Sequence, residues 1–202
     1  MQSRMLRLLS ATVAVSLLGG GAGLATDLTV GKGGGADHTT IQAALDAIQG
    51  TALGKDGTAD TITILDSETY DEQLNIGQIP SAAEHPGDAA TWLDMVEPDQ
   101  LDAITIQGAE GQRPVIESSG DLTEYGVFPD DPGDMFRATV AFLGTSVTFI
   151  RVEFSYHPEL GLQEGYMING QSQDLVFEDV HFVQNPSDET FAGEDYINLN
   201  NS

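Results

Sequence analysis

Apolar residues recur along this chain at two spacings. Ile41, Ala44, Leu45 and Ile48 fall at i, i+3, i+4 and i+7, one apolar face of a helix. A short strand, Leu28–Val30, and a glycine turn, Gly31–Gly35, come before it. Thr39 and Gln42 have the spacing of a capping box, in which hydroxyl and amide satisfy otherwise free backbone N–H groups. A helix of two to three turns is marginal alone, so its apolar face must cover something.

After the helix the spacing changes to short β-rich runs. Thr61–Leu65 is a strand by its β-branched content. Asp66–Glu72 reads as a turn and Gln73–Ile76 as a further strand, and strands resume with Ile104–Gln107 and Val115–Glu117. Two polar, Pro-containing stretches interrupt the series, 78–103 and 121–137, and read as inserted loops.

The strongest pattern comes late. Val147–Phe154 (VTFIRVEF) and Leu175–Phe182 (LVFEDVHF) align without gaps 28 residues apart. Each follows another apolar run and a turn, Val140–Leu143 before Gly144–Ser146 and Tyr166–Ile168 before Asn169–Asp174. A period in the twenties with no helix between the strands predicts an all-β solenoid whose coils bury one another. The register would stack Val147 on Leu175, Phe149 on Phe177, Val152 on Val180 and Phe154 on Phe182 inward. Ile150–Arg151 would lie at the bend over Glu178–Asp179, with Arg151 facing Asp179 as an ion pair, and Glu153 outward beside His181. A helix before the first strand of such a stack is an N-terminal cap. Tyr196, Ile197 and Leu199 read as one more coil beginning, and an open last coil predicts that the chain continues beyond Ser202 in a longer protein.

Residues 1–25 fall outside this pattern. Arg4 and Arg7, the apolar run Leu8–Leu18 and the small-x-small Gly23–Leu24–Ala25 compose a secretory signal peptide with cleavage expected after Ala25. A run of eleven residues is too short to span a bilayer. The expectation is a secreted, extracellular protein with no membrane association after signal removal, its domain running over 26–202. It has no cysteine, so the fold stands on packing and backbone ladders.

The formal net charge is -25, from 7 Lys+Arg against 32 Asp+Glu. Two of those basic residues lie in the signal peptide, which has no acid, so the remainder is near -27. Nucleic acid and anionic membrane surfaces are therefore excluded as natural partners. A solvated acidic surface and a divalent-cation-binding surface both fit the charge.

The opening strand, the glycine turn and Thr40–Ala47, TIQAALDA, resemble the start of the pectin lyase-like class of right-handed parallel β-helix proteins. In order of elements the chain is most similar to pectin methylesterases. Tyr70 and Glu72 match the Y-x-E of that family's G-x-Y-x-E element, with Glu68 at the glycine position. The resemblance implies a right-handed parallel β-helix directed at polysaccharide, by binding or by lyase or esterase chemistry. A non-catalytic extracellular scaffold or adhesion protein is the other reading.

The family's esterase chemistry uses two aspartates on neighbouring coils and an arginine, one carboxyl as acid/base and one as nucleophile. Its echoes here are Asp188 in SDET and Asp195 in DYI. They stand seven residues apart rather than one coil apart, and the arginine motif would fall beyond Ser202. Lyases of the class use Ca²⁺ and a basic residue. Asp130, Asp131 and Asp134 in PDDPGD offer hard oxygen ligands for such an ion, although a solvated turn explains them as well. Arg113, Arg137 and Arg151 are the arginines left after signal removal.

Overall fold

The computed structural model describes residues 25–49, 51–79, 81, 101–119, 123, 125–126, 135–156, 165–171, 174–184 and 197–199. Residues 1–24 of the expected signal peptide lie outside these. No helix among the described residues is long and apolar enough to cross a membrane.

The described chain is mostly β, with three parallel sheets and one short α-helix. Its strands are β1 (Asp27–Val30), β2 (Asp60–Ile64), β3 (Thr69–Asp71), β4 (Leu74–Ile76), β5 (Ile104–Gly108), β6 (Val115–Glu117) and β7 (Tyr125–Gly126), followed by β8 (Met135–Leu143), β9 (Val147–Ile150), β10 (Glu153–Tyr156), β11 (Gly165–Gln171), β12 (Leu175–Glu178), β13 (His181–Gln184) and β14 (Ile197–Leu199). Sheet A runs β1-β2-β5-β9-β12, sheet B runs β13-β10-β6-β3, and sheet C runs β14-β11-β8-β4. Only β7 departs from parallel pairing, lying antiparallel to the start of β8. From β2 onward the chain visits A, B and C in fixed rotation, consistent with an all-β parallel solenoid.

Alternation builds the strands. β2 and β5 bury every second residue, beginning with Asp60 and Ile104, and turn Thr61, Thr63, Thr105 and Gln107 outward. Inward residues stack into ladders through the sheet registers: Leu28, Ile62, Ile106, Phe149 and Phe177 in sheet A, Tyr70, Ile116, Phe154 and Phe182 in sheet B, and Leu74, Val140, Ile168 and Ile197 in sheet C. These ladders build the core, with Leu28, Phe177 and Ile197 half-buried against it and Phe182 exposed at the end of its ladder. Phe149 stacks on Phe177 with ring centroids 6.0 Å apart, and Phe154 on Phe182 at 5.5 Å.

The predicted register holds throughout: Val147 pairs with Leu175, Phe149 with Phe177, Phe154 with Phe182 and Glu153 with His181. Each eight-residue run is two strands with the bend at Arg151–Val152 or Asp179–Val180. Arg151 and Asp179 both take φ 53°, the left-handed conformation that turns the chain sharply from sheet A into sheet B.

The expected Arg151–Asp179 ion pair does not form. The Arg151 side chain folds back, donating from Nε (3.0 Å) and Nη2 (2.8 Å) to the Gly108 carbonyl. A Cβ on Gly108 would lie 2.6 Å from the Arg151 carbonyl, so glycine permits this approach. Asp179 is held instead by Arg113.

The connections differ systematically. From sheet A to sheet B they span 65–68, 109–114, 151–152 and 179–180, between two and six residues. From sheet B to sheet C the first is short, 72–73, but the later ones span 118–134 (containing β7), 157–164 and 185–196.

Helix α1 (Ile41–Gln49) buries Ile41, Ala44, Leu45 and Ile48, the apolar face read from the sequence. Its glutamines do what a neighbouring strand would do for β4, which lies at the edge of sheet C. Gln42 Oε1 accepts from the Asn75 N–H at 2.8 Å. Gln49 donates to the Asn75 carbonyl at 3.1 Å and accepts from the Gly77 N–H at 2.6 Å. The exposed polar groups of a sheet edge are thereby satisfied by side-chain amides.

Candidate functional site

Tyr70 and Glu72, the matched tyrosine and glutamate, sit at β3 and immediately after it. The sequence reading placed 66–72 in a turn, but Thr69–Asp71 is a strand, too short to show alternation and set by its pairing with β6. Tyr70 therefore points inward and is 1% exposed. Its ring belongs to the sheet B ladder, and its hydroxyl donates to Asp66 Oδ1 at 2.8 Å. Burial pushes the phenol pKa far up, and the Asp66 hydrogen bond and the neighbouring charges of Asp66, Glu72 and Glu68 push it further. A phenol so held stays protonated and is neither a base nor a nucleophile at neutral pH.

Asp66 is fixed in turn. Burial works against its ionisation, but the Lys32 N–H, the Tyr70 hydroxyl, the Glu68 N–H and the Lys32 charge outweigh it, and its pKa lies below the usual range. The Lys32 ammonium donates to the Thr69 carbonyl and lies 5.0 Å from the centre of the Tyr70 ring. The cluster ties the Gly31–His38 loop to the end of β2.

Glu72 has a different task. Its Oε1 accepts from the Ile41 N–H at 2.8 Å and its Oε2 from the Gln42 N–H at 2.9 Å. These are orphan donors of the first turn of α1, where a carboxylate is favoured. Burial pushes the Glu72 carboxyl pKa up, opposed by the Gln42 and Ile41 N–H groups and by Lys32. The expected Thr39–Gln42 capping box does not form: Thr40 Oγ1 accepts from the Ala43 N–H at 3.2 Å, and the Gln42 side chain is spent on Asn75 and Asp46. No local pattern could reveal a cap that arrives from the far side of β2.

Tyr70 and Glu72 thus lie about one strand end and one helix start, Tyr70 in the sheet B ladder and Glu72 on the first turn of α1. Asp188 and Asp195 lie outside the described residues, as do Asp130, Asp131 and Asp134, the calcium candidates. Arg113 is bonded to Asp179 at a bend and Arg151 to Gly108 at the end of β5. Among the described residues no group of three or more His, Cys, Asp or Glu is arranged to hold a metal ion.

The outer face of sheet A was not singled out by sequence patterns. Thr61, Thr105 and Thr148 lie in one row across β2, β5 and β9, and Thr63, Gln107 and Ile150 in the next. All six are half-buried and none is charged, in a chain of net charge -25. Neighbouring strands place the members of each row ~4.8 Å apart. The Gln107 amide donates to Thr63 Oγ1 at 3.2 Å and its Oε1 accepts from Arg151 at 3.3 Å, which fixes the second row. The signal available in the sequence was the repeated T-I-T and T-I-Q at 61–63 and 105–107.

No protein-family model matches this chain. No curated protein matches it either.

Proposed function

We propose that the protein is an exported right-handed parallel β-helix, capped by α1, that serves as a non-catalytic extracellular scaffold facing a neutral polysaccharide. The fixed rotation through three parallel sheets supports the winding, and parallel β crossovers are right-handed in about 98% of cases. The TIQAALDA segment supports pectin lyase-like ancestry, and the n-region, apolar run and Ala25 support export.

The observation that carries the binding reading is the middle of the outer face of sheet A, where β2, β5 and β9 present four hydroxyls and one amide, with Asp27 beside Thr61 and Glu178 beside Ile150 as acids at its two edges. Such a face suits a hydroxyl-rich uncharged polymer. A polyuronide would be repelled by the net negative charge unless cations bridged the two. Tyr70 and Glu72 are held in hydrogen bonds to Asp66 and to the first turn of α1, and Asp188, Asp195, Asp130, Asp131 and Asp134 are the other residues on which lyase or esterase chemistry would draw.

Co-sedimentation with insoluble neutral glucans, and with polygalacturonate with and without Ca²⁺, tests the proposal. Binding to a neutral glucan that Thr105→Asp abolishes at unchanged melting temperature is the expected result. Retention only on calcium polygalacturonate, or release of methanol or unsaturated uronate from pectin, would replace the scaffold with an enzyme of the pectin lyase-like class.

A further inference from the structure

Asp60 opens β2 at an inward position. The residues above it in register are Ile104 and Val147, so a carboxylate occupies a place that the next turns fill with hydrocarbon. Asp60 is fully buried. One oxygen, Oδ1, accepts from the Thr26 N–H at 2.9 Å, and the other, Oδ2, has no hydrogen-bond partner. The ionisable groups acting on it are Asp102 and Asp56, both acids. Asp102 is occupied by the Gly57 N–H at 2.8 Å and Asp56 by the Thr58 N–H at 3.0 Å. A buried carboxylate whose hydrogen bonds come from one neutral residue, the N–H and hydroxyl of Thr26, and whose ionisable neighbours are both acids is costly and calls for a cation.

The atom that touches it is the nitrogen of Thr26, the residue that follows the expected signal-peptidase bond. We infer that Asp60 is the receptor of the mature N-terminus: hydrolysis of the Ala25–Thr26 peptide bond converts a single amide donor into an α-ammonium that pairs with both Asp60 oxygens inside the first coil. The inference rests on the export reading for the event that frees the amine. The step balances as ordinary peptide hydrolysis. A signal peptidase adds water across the C–N bond, Ala25 leaves with the carboxylate, and Thr26 keeps the amine, protonated near neutral pH because an α-amine has a pKa of about 7.7–8.0.

The geometry is already set for this. The Thr26 carbonyl accepts from the Thr61 N–H at 2.9 Å, and the Asp60 N–H donates to the Ala103 carbonyl at 2.8 Å, so both partners are fixed by backbone bonds. Ala25 is exposed, which lets the leader depart toward solvent. An ammonium carries three donors where the amide carried one, enough for Oδ2 as well as Oδ1.

The pairing has a pH signature. It raises the folded α-amine pKa above its unfolded value. The added stability is fully present below about pH 7.7 and is lost as pH rises through the raised folded value.

The test uses five forms of the full mature chain, released from a cleavable fusion with defined first residues: Thr26-start, Ala25-start, Nα-acetylated Thr26-start, and Asp60→Asn starting at Thr26 and at Ala25. The expected result is a melting temperature several degrees higher for Thr26-start than for Ala25-start or the acetylated form at pH 6. That advantage should shrink by pH 10 and be absent between Asp60→Asn proteins starting at Thr26 and Ala25. Should Asp60→Asn not fold, the acetylated and free-amine wild-type forms still decide. Equal melting of those two, or an α-amine titrating at its ordinary pKa, overturns the receptor even if export is correct. Sequencing of secreted material is expected to begin at Thr26. A different first residue overturns the export reading's cleavage site and the maturation step, whatever the melting data show.

Discussion

Arg113 holds Asp179 by both its backbone and its side chain. Nη1 donates to the Asp179 carbonyl and Nη2 to its carboxylate, each at 2.7 Å, across 66 residues of sequence. The arginine leaves the bend before β6 and reaches past β10 to the bend before β13. Its hydrogen bond is the first cause that holds the Asp179 carboxyl below the ordinary range, assisted by the charges of Arg113, His181 and Arg151. A depressed carboxyl contributes stability above its unfolded pKa of about 3.8 that is lost as pH falls through the folded value. Melting temperature is therefore expected to drop less steeply below pH 4 in Asp179→Asn than in the parent. Parallel acid melts would sink this attribution.

Glu72 supplies a second test. Glu72→Ala leaves the Ile41 and Gln42 N–H groups without their acceptor and should cost about 1–3 kcal/mol. Glu72→Gln keeps one acceptor oxygen and should cost less. Chemical denaturation measures both, and faster amide exchange confined to the first turn of α1 would locate the damage. An alanine variant as stable as the parent would mean that the carboxylate does not cap the helix.

What the sequence revealed and what it hid divide along sequence distance. The pair Val147–Phe154 and Leu175–Phe182 could be read because one coil copies the next, so identical spacing exposes the register. Ile41, Ala44, Leu45 and Ile48 could be read because helical period is local. Tyr70 could not be placed in the core, because its three-residue strand takes its direction from β6. The Glu72 cap, the Gln49 bonds to β4 and the Arg113–Asp179 bridge join residues 26 or more apart with no repeat to announce them. The outer rows of sheet A needed the stacking order of β2, β5 and β9 before Thr61, Thr105 and Thr148 could be seen as one surface.

The phenylalanine ladders give a graded expectation. Phe149 is fully buried, stacked on Phe177 and edge-on to Phe154, whereas Phe182 is 40% exposed. Phe149→Ala should cost about 3–5 kcal/mol. Phe177, half-buried, should lose less, and Phe182→Ala least of the three. Denaturant midpoints in any other order would contradict the graded burial of these three rings.

A cysteine pair tests the register by chemistry. The Val152 carbonyl accepts from the His181 N–H at 3.0 Å, and the flanking pairs Ile150–Glu178 and Glu153–His181 place Val180 beside Val152. Parallel neighbours stand ~4.8 Å apart, within the ~4.4–6.8 Å between Cα atoms that a disulfide accepts. Val152→Cys with Val180→Cys, in a chain with no other cysteine, should close under mild oxidation and stabilise by about 3 kcal/mol. Free thiols persisting in the folded double variant would show that the strands are offset.

The bends from sheet A into sheet B stay short while the passages from sheet B into sheet C lengthen, to 118–134, 157–164 and 185–196. Each long passage leaves one stacked strand and returns to another, so its two ends are anchored in sheets B and C. A chain arranged this way separates heredity of shape from heredity of surface. One corner keeps the count of the turns, and the adjoining corner can be rewritten segment by segment, in a lineage or on a bench, without the ladders between them losing step.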